Sequence, residues 1–98
     1  MPDEDTRVSA RIHAVIHGRV QGVNFRATTS QYARMLGVHG WVRNRADGTV
    51  ETLAEGPTPL LHRFLDFLHE GPRSAIVEHV DVTWEDFVDE FDRFEIRA

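Results

Sequence analysis

The chain contains no cysteine and no lysine. The first absence excludes a disulfide framework, a thiolate nucleophile and a thiolate metal site. The second leaves all eleven basic residues as arginine, which fits either a solvated acidic surface adapted to high salt or codon bias. Long hydrophobic runs are missing too. No apolar stretch approaches the roughly 20 residues that cross a bilayer, and Met1-Pro2-Asp3-Glu4-Asp5-Thr6 is acidic, without the apolar core of a signal peptide. A soluble cytoplasmic protein is expected. Positive charge is also short, since the formal net charge is −5, and binding to a phosphate backbone rests on excess positive charge. No nucleic-acid or membrane partner is therefore expected.

Linkers, internal repeats and low-complexity stretches are absent as well, so the 98 residues allow one domain with one core. Residues 1–8 read as a flexible acidic N-terminal segment and residues 9–98 as the domain. Within it, Ala10, Ile12, Ala14 and Ile16 alternate with mostly polar side chains, which is strand periodicity. Phe25, Thr29, Tyr32 and Leu36, with Ala33 beside them, recur at helical spacing up to a closing Gly37. Residues 38–44 and 49–55 read as strands joined by Arg45-Ala46-Asp47-Gly48, where Asp-Gly is a hairpin signal. Gly56-Pro57-Thr58-Pro59 then breaks the second of these. A helix follows with an apolar stripe of Leu61, Phe64, Leu65 and Leu68, stopped by Gly71-Pro72. Residues 76–84 alternate as a fourth strand, and Phe94 and Ile96 mark a short last one after an acidic turn read as solvated. This order predicts an α+β, ferredoxin-like βαββαβ sandwich: a mainly antiparallel sheet, two helices on one face, and a short C-terminal strand.

The stretch with the most chemical content is Gly18-Arg19-Val20-Gln21-Gly22-Val23-Asn24-Phe25-Arg26. It is a glycine-spaced turn leaving a strand and entering a helix. Successive backbone N–H groups there, with the open donors of the first helical turn, make a concave site that favours an anion. Arg26 adds a planar guanidinium whose paired donors match two phosphate oxygens.

This stretch resembles the first signature of the acylphosphatase family. Gly40-Trp41-Val42-Arg43-Asn44, followed by Gly48, Val50 and Gly56, resembles the second at the expected spacing. Asn24 stands where glycine, histidine or an aromatic residue is common in the family, and Val15 where leucine is common. Arg45 and Ala46 occupy a hairpin that carries hydroxyl residues in some members. The resemblance implies metal-independent, cofactor-free hydrolysis of acyl phosphates to a carboxylate and inorganic phosphate. It also implies that the backbone of Gln21, Gly22, Val23, Asn24 and Phe25, with the Arg26 side chain, binds the phosphate. Asn44 would hold the attacking water, making Arg26 and Asn44 the catalytic pair. The expected partner is a small-molecule acyl phosphate, with inorganic phosphate or sulfate competing, acting on a monomer.

Other residues carry less. The six histidines are scattered over strands and helices without a ligand pairing, although His17, nearest the loop, is able to modulate its charge. Thr28, Thr29 and Ser30 lie inside the first helix with no evident base, and Trp41 and Trp84 fit packing in strands. Two rival functions share this element order: an anion-binding module without turnover, and an RNA-recognition module with aromatics on its central strands. The strand Thr49-Val50-Glu51-Thr52-Leu53-Ala54-Glu55 argues against the latter, having no aromatic and two acids.

Overall fold

The computed structural model describes residues 8–98. The expected N-terminal segment lies outside them except for Val8, which is exposed. The elements are β1 (Ser9–Arg19), α1 (Phe25–Leu36), β2 (His39–Asn44), β3 (Val50–Pro57), α2 (Thr58–Glu70), β4 (Ile76–Glu85) and β5 (Phe94–Arg97). They form one sheet in the order β4-β1-β3-β2-β5. All neighbours are antiparallel except β2 and β5, which run parallel. Both helices pack on one face, giving the ferredoxin-like α+β sandwich read from the element order.

Period-two alternation builds the sheet half of the core. In β1 it buries Ala10, Ile12, Ala14 and Ile16 completely. The register then sets Ile12 opposite Ala54, Ala14 opposite Thr52 and Ile16 opposite Val50, so β3 presents its own small and branched residues to the helices. The stripe on α2 is buried as its spacing predicts, with Leu61, Phe64 and Leu68 fully enclosed and Leu65 nearly so. Each such side chain contributes about 1.5–3 kcal/mol relative to exposure. On α1 the buried face is Phe25, Thr29, Ser30 and Ala33. Tyr32 and Leu36 are only half-buried, because they sit where the helix rolls off the core. Gly37, with φ 80°, closes α1 by donating to Ala33 and Arg34, and Val38 donates to the Ala33 carbonyl at 2.9 Å.

Several boundaries differ from the periodicity, β3 starting at Val50 and β4 ending at Glu85 among them. Val38 belongs to the helix cap, so β2 starts at His39. At the other end, β3 runs past Glu55 to Pro57, because Gly56 pairs with Ala10 and Pro57 with Ser9. Gly18 lies inside β1, at a bulge against β4, where an added Cβ would come within 2.2 Å of the Ile76 carbonyl oxygen. Its role is close strand approach, and the turn proper begins at Val20.

The acidic turn is not merely solvated. Glu55, only 3% exposed, accepts hydrogen bonds from the N–H groups of Val88, Asp89 and Glu90 at 2.7, 3.1 and 2.9 Å. Arg11 reaches Glu90 at 2.7 Å, Glu85 at 3.3 Å and Glu55 at 3.6 Å. A charged connection is thus wrapped around one buried carboxylate, a long-range arrangement that local composition does not report. Glu51 is likewise engaged, with Arg43 and His13 at 2.7 and 2.6 Å. Both acids of β3 are therefore partnered, and the case against RNA stacking rests on the missing aromatics. Among the described residues no helix is long and apolar enough to cross a membrane.

Candidate active site

Asn44 is placed by strand parity. Gly40, Val42 and Asn44 are opposite Ala54, Thr52 and Val50, all on the face that carries the helices. The first two positions suit a core, and the third puts an amide where an apolar side chain would continue it. The Asn44 Oδ1 atom is buried and has no hydrogen-bond partner among the described residues. An unpartnered buried polar atom costs about 1–3 kcal/mol, and Thr29 Oγ1 inside α1 is buried in the same state.

Facing it is the start of α1. The turn from Val20 to Asn24 holds Gly22 at φ 73° and Asn24 at φ 64°, both left-handed. Glycine adopts that conformation freely, and asparagine tolerates it better than most side chains. Asn24 is the N-cap residue, but its side chain makes no capping bond, and no acidic residue lies in the first turn. Among the described residues, no protein acceptor takes the backbone N–H groups of Gly22 to Arg26. The positive pole of the helix is therefore left open. Arg26 adds a full charge to it, and no carboxylate among the described residues pairs with that guanidinium.

These groups line one cleft of about 360 Å³, whose walls include Gly22, Asn24, Phe25, Arg26, Asn44 and Ile96. The structure thus unites Arg26, Asn44 and much of the expected phosphate loop. The expectation for Gln21 and Val23 concerns their backbone, and their side chains are engaged elsewhere. The Gln21 side chain turns away to donate to the Arg45 and Thr49 carbonyls at 2.8 and 2.9 Å. Val23 packs against the core, while its carbonyl accepts from Ser74 Oγ at 3.3 Å. Neither side chain lines the cleft, which leaves only their backbone for the ligand.

Val20, Ala27 and Ile96 line the cleft without having been expected there. Ile96 is 47% exposed although it shares the core-facing parity of its partner Val42. Its only signal was the alternation of the last strand, which says nothing about pairing with β2.

The remaining candidates fall elsewhere. Thr29 and Ser30 are buried in the helix, and Thr28 Oγ1 donates to the Asn24 carbonyl at 2.9 Å. His17 and His79 flank Asp81 at 3.0 and 2.6 Å on the open sheet face, where hydrogen bonds from His79 and then His17 hold the Asp81 carboxyl below its ordinary range. Among the described residues no group of three His, Cys, Asp or Glu is arranged to hold a metal ion. Trp41 is flanked by the guanidinium groups of Arg43 and Arg97, each 5.4 Å from its ring centroid. Trp84 packs by its ring against His62 at 5.0 Å.

Known proteins share this sequence and this fold. Residues 12–96 match the acylphosphatase family model. An acylphosphatase from Salinibacter ruber is 52% identical over 93 residues, which is 95% of this chain and 98% of that protein. The crystal structure of an acylphosphatase from Bacillus subtilis superposes with a TM-score of 0.88 at 36% identity, covering 91% of this chain and 99% of that one. Full-length HypF in its phosphate- and nucleotide-bound form contains the same fold, with a TM-score of 0.80 at 22% identity over 92% of this chain and 12% of that one. With two signature stretches converging on one cleft and full-length relatives at this identity, the chain belongs to the acylphosphatase family.

Proposed function

We propose that the chain hydrolyses acyl phosphates, releasing a carboxylate and inorganic phosphate, by direct attack of a water on the phosphoryl group. Acyl phosphates have a good leaving group, so the protein's work is to hold the phosphoryl group, offset its charge and aim a water. The Arg26 guanidinium and the backbone N–H groups from Gln21 to Phe25 hold the phosphoryl oxygens. Asn44 holds the water, accepting one of its hydrogen bonds at Oδ1 and donating from its amide to a phosphoryl oxygen. An amide is too weak a base to take the proton. As the water oxygen bonds to phosphorus, the phosphorus–oxygen bond to the acyl group breaks, the carboxylate leaves with the electron pair, and the proton passes to the phosphate. No covalent enzyme intermediate and no metal enters this scheme.

The observation that carries the reading is the buried, unpartnered Asn44 Oδ1 in the same cleft as the uncompensated helix N-terminus and Arg26. Both halves lack a partner of the kind the other half's ligand would supply. The substrate is a small-molecule acyl phosphate, inorganic phosphate or sulfate competes for the cradle, and the active species is a cytoplasmic monomer.

The test is phosphate release from a simple acyl phosphate by the wild type and by Asn44→Ala. The variant is expected to lose about 10²–10³ in turnover, the range for a fixed polar group acting on a transition state, while inorganic phosphate still inhibits it. Near-normal turnover in Asn44→Ala would sink the water-holding role. Phosphate binding by the wild type without any hydrolysis would favour a binding module instead.

A further inference from the structure

A water aimed at phosphorus is useful only if its holder and the phosphate cradle keep a fixed separation. Here the two halves come from different strands. The cradle leaves β1 and enters α1, whereas Asn44 ends β2 and pairs with Val50 in the last rung before a hairpin. That hairpin closes by Arg45 N–H donating to the Thr49 carbonyl at 2.9 Å and Gly48 N–H to the Arg45 carbonyl at 3.2 Å. Backbone pairing of β2 with β3 fixes Asn44 relative to the sheet, but it does not tie the hairpin to the loop.

The Gln21 side chain makes that tie. Its Nε2 donates both hydrogens, one to the Arg45 carbonyl at 2.8 Å and one to the Thr49 carbonyl at 2.9 Å. These carbonyls flank the mouth of the hairpin, one residue beyond the Asn44–Val50 rung. Two acceptors on one nitrogen fix which end of the carboxamide is the donor, and no other type of side chain of this length offers two such hydrogens without a charge. The residue sits in the loop beside Gly22, so its backbone belongs to the cradle and its side chain to the opposite wall's support.

We infer that the Gln21 carboxamide is a positioning residue: it sets the separation between the phosphate cradle and Asn44, and so places the attacking water in line. This rests on the reading of Asn44 as the holder of that water. The consequence is specific. Loss of the clip lets the hairpin drift against the loop, which costs turnover and leaves the cradle's own donors in place.

The test is a double-mutant cycle with two readouts. Asn44→Ala is measured first, and normal turnover there sinks the water reading itself. With Asn44→Ala impaired, Gln21→Ala is expected to lower kcat by about 10- to 100-fold, the scale of a small misplacement of reacting groups, with inhibition by inorganic phosphate unchanged. Because Gln21 acts through Asn44, adding Gln21→Ala to Asn44→Ala should cost little more. Gln21→Glu supplies a second signature, since an ionised carboxylate donates nothing to two carbonyls, whereas its protonated form donates once. Its turnover relative to wild type should rise as the pH falls towards the carboxylate range, and the ratio for Gln21→Ala should stay flat. Multiplicative losses in the double variant, wild-type kcat in Gln21→Ala, or loss of phosphate inhibition in place of turnover would each overturn the clip. The last would mean that the side chain holds only the loop.

Discussion

The two faces of the sheet treat polar groups in opposite ways. On the open face, Arg11 gathers Glu55, Glu85 and Glu90, His13 and Arg43 share Glu51, and His17 and His79 share Asp81. On the helix face, at the one end where α1 begins, no partner among the described residues meets the buried Asn44 Oδ1, no acceptor among them takes the loop N–H groups, and no carboxylate among them pairs with Arg26. The first face satisfies its charges with one another. The second leaves Arg26 and a row of backbone donors unpaired beside a buried amide oxygen, so what separates the two faces is which charges are paired.

The largest expected effect falls on the cleft. Arg26→Ala should lose about 10²–10³ in kcat/KM, as removal of a donor aimed at transition-state charge does elsewhere, together with inhibition by phosphate. Steady-state assay of phosphate release checks both, and a variant with turnover and inhibition intact would end the contrast between the faces. On the open face the expected loss is one of stability. Glu55→Ala removes the acceptor of three backbone N–H groups and the most distant of the three carboxylates around Arg11, and should cost about 3 kcal/mol in denaturant unfolding, with kcat unchanged in whatever fraction stays folded. If Glu55→Ala instead lowered kcat in fully folded protein, the scaffold and the site would not be separable.

How much of this is visible in the chain follows from the range of each interaction. Local periodicity predicts β1, the α2 stripe and the loop entering α1, since each depends on residues a few positions apart. The pairing of a glycine loop with the Gly40–Asn44 motif is also legible, because both halves carry recognisable short patterns. Three arrangements are not. Gln21 meets Arg45 and Thr49 across 24 and 28 residues, and nothing in a loop glutamine announces two carbonyl partners. Glu55 occupies the parity of an outward-facing strand residue, yet the β4–β5 connection folds over it, so alternation reads it as exposed. Ile96 has core parity but lies at the mouth of the cleft, because β5 pairs in parallel with β2 at the sheet edge. All three depend on tertiary pairings between segments that carry no mutual signal.

A smaller effect tests the open face through pH. Burial pushes the Glu51 carboxyl up, but hydrogen bonds from His13 and Arg43 and their charges outweigh it, so its pKa lies below the ordinary value. A carboxylate with a depressed folded pKa contributes stability that is fully present above the unfolded value of about 4.3 and is lost as pH falls through the lower folded one. Glu51→Gln should therefore be less stable than wild type at neutral pH, and the two stability curves should converge as pH falls from the unfolded value through the lower folded one. Thermal melts across that window check it. A constant gap down to the lowest pH would assign the stabilisation to packing.

The smallest prediction sharpens the comparison most, because its sign is opposite on the two faces. Removing a paired group from the open face destabilises, as Glu55→Ala and Glu51→Gln should. Arg26 is a cation in the first turn of α1, where the helix already presents its positive pole and has neither a side-chain cap nor an acidic residue to offset it. Such a placement is unfavourable by about 0.3–1 kcal/mol. Arg26→Ala should accordingly raise the melting temperature of the unliganded protein slightly while abolishing the stabilisation that added phosphate gives the wild type. A ligand that binds only the folded state stabilises it by mass action, by about 2.7 kcal/mol at 100-fold over Kd, so the two curves should cross as phosphate is titrated in. A lower melting temperature for Arg26→Ala without phosphate would place Arg26 among the structural groups, and the cleft would then be one more satisfied surface.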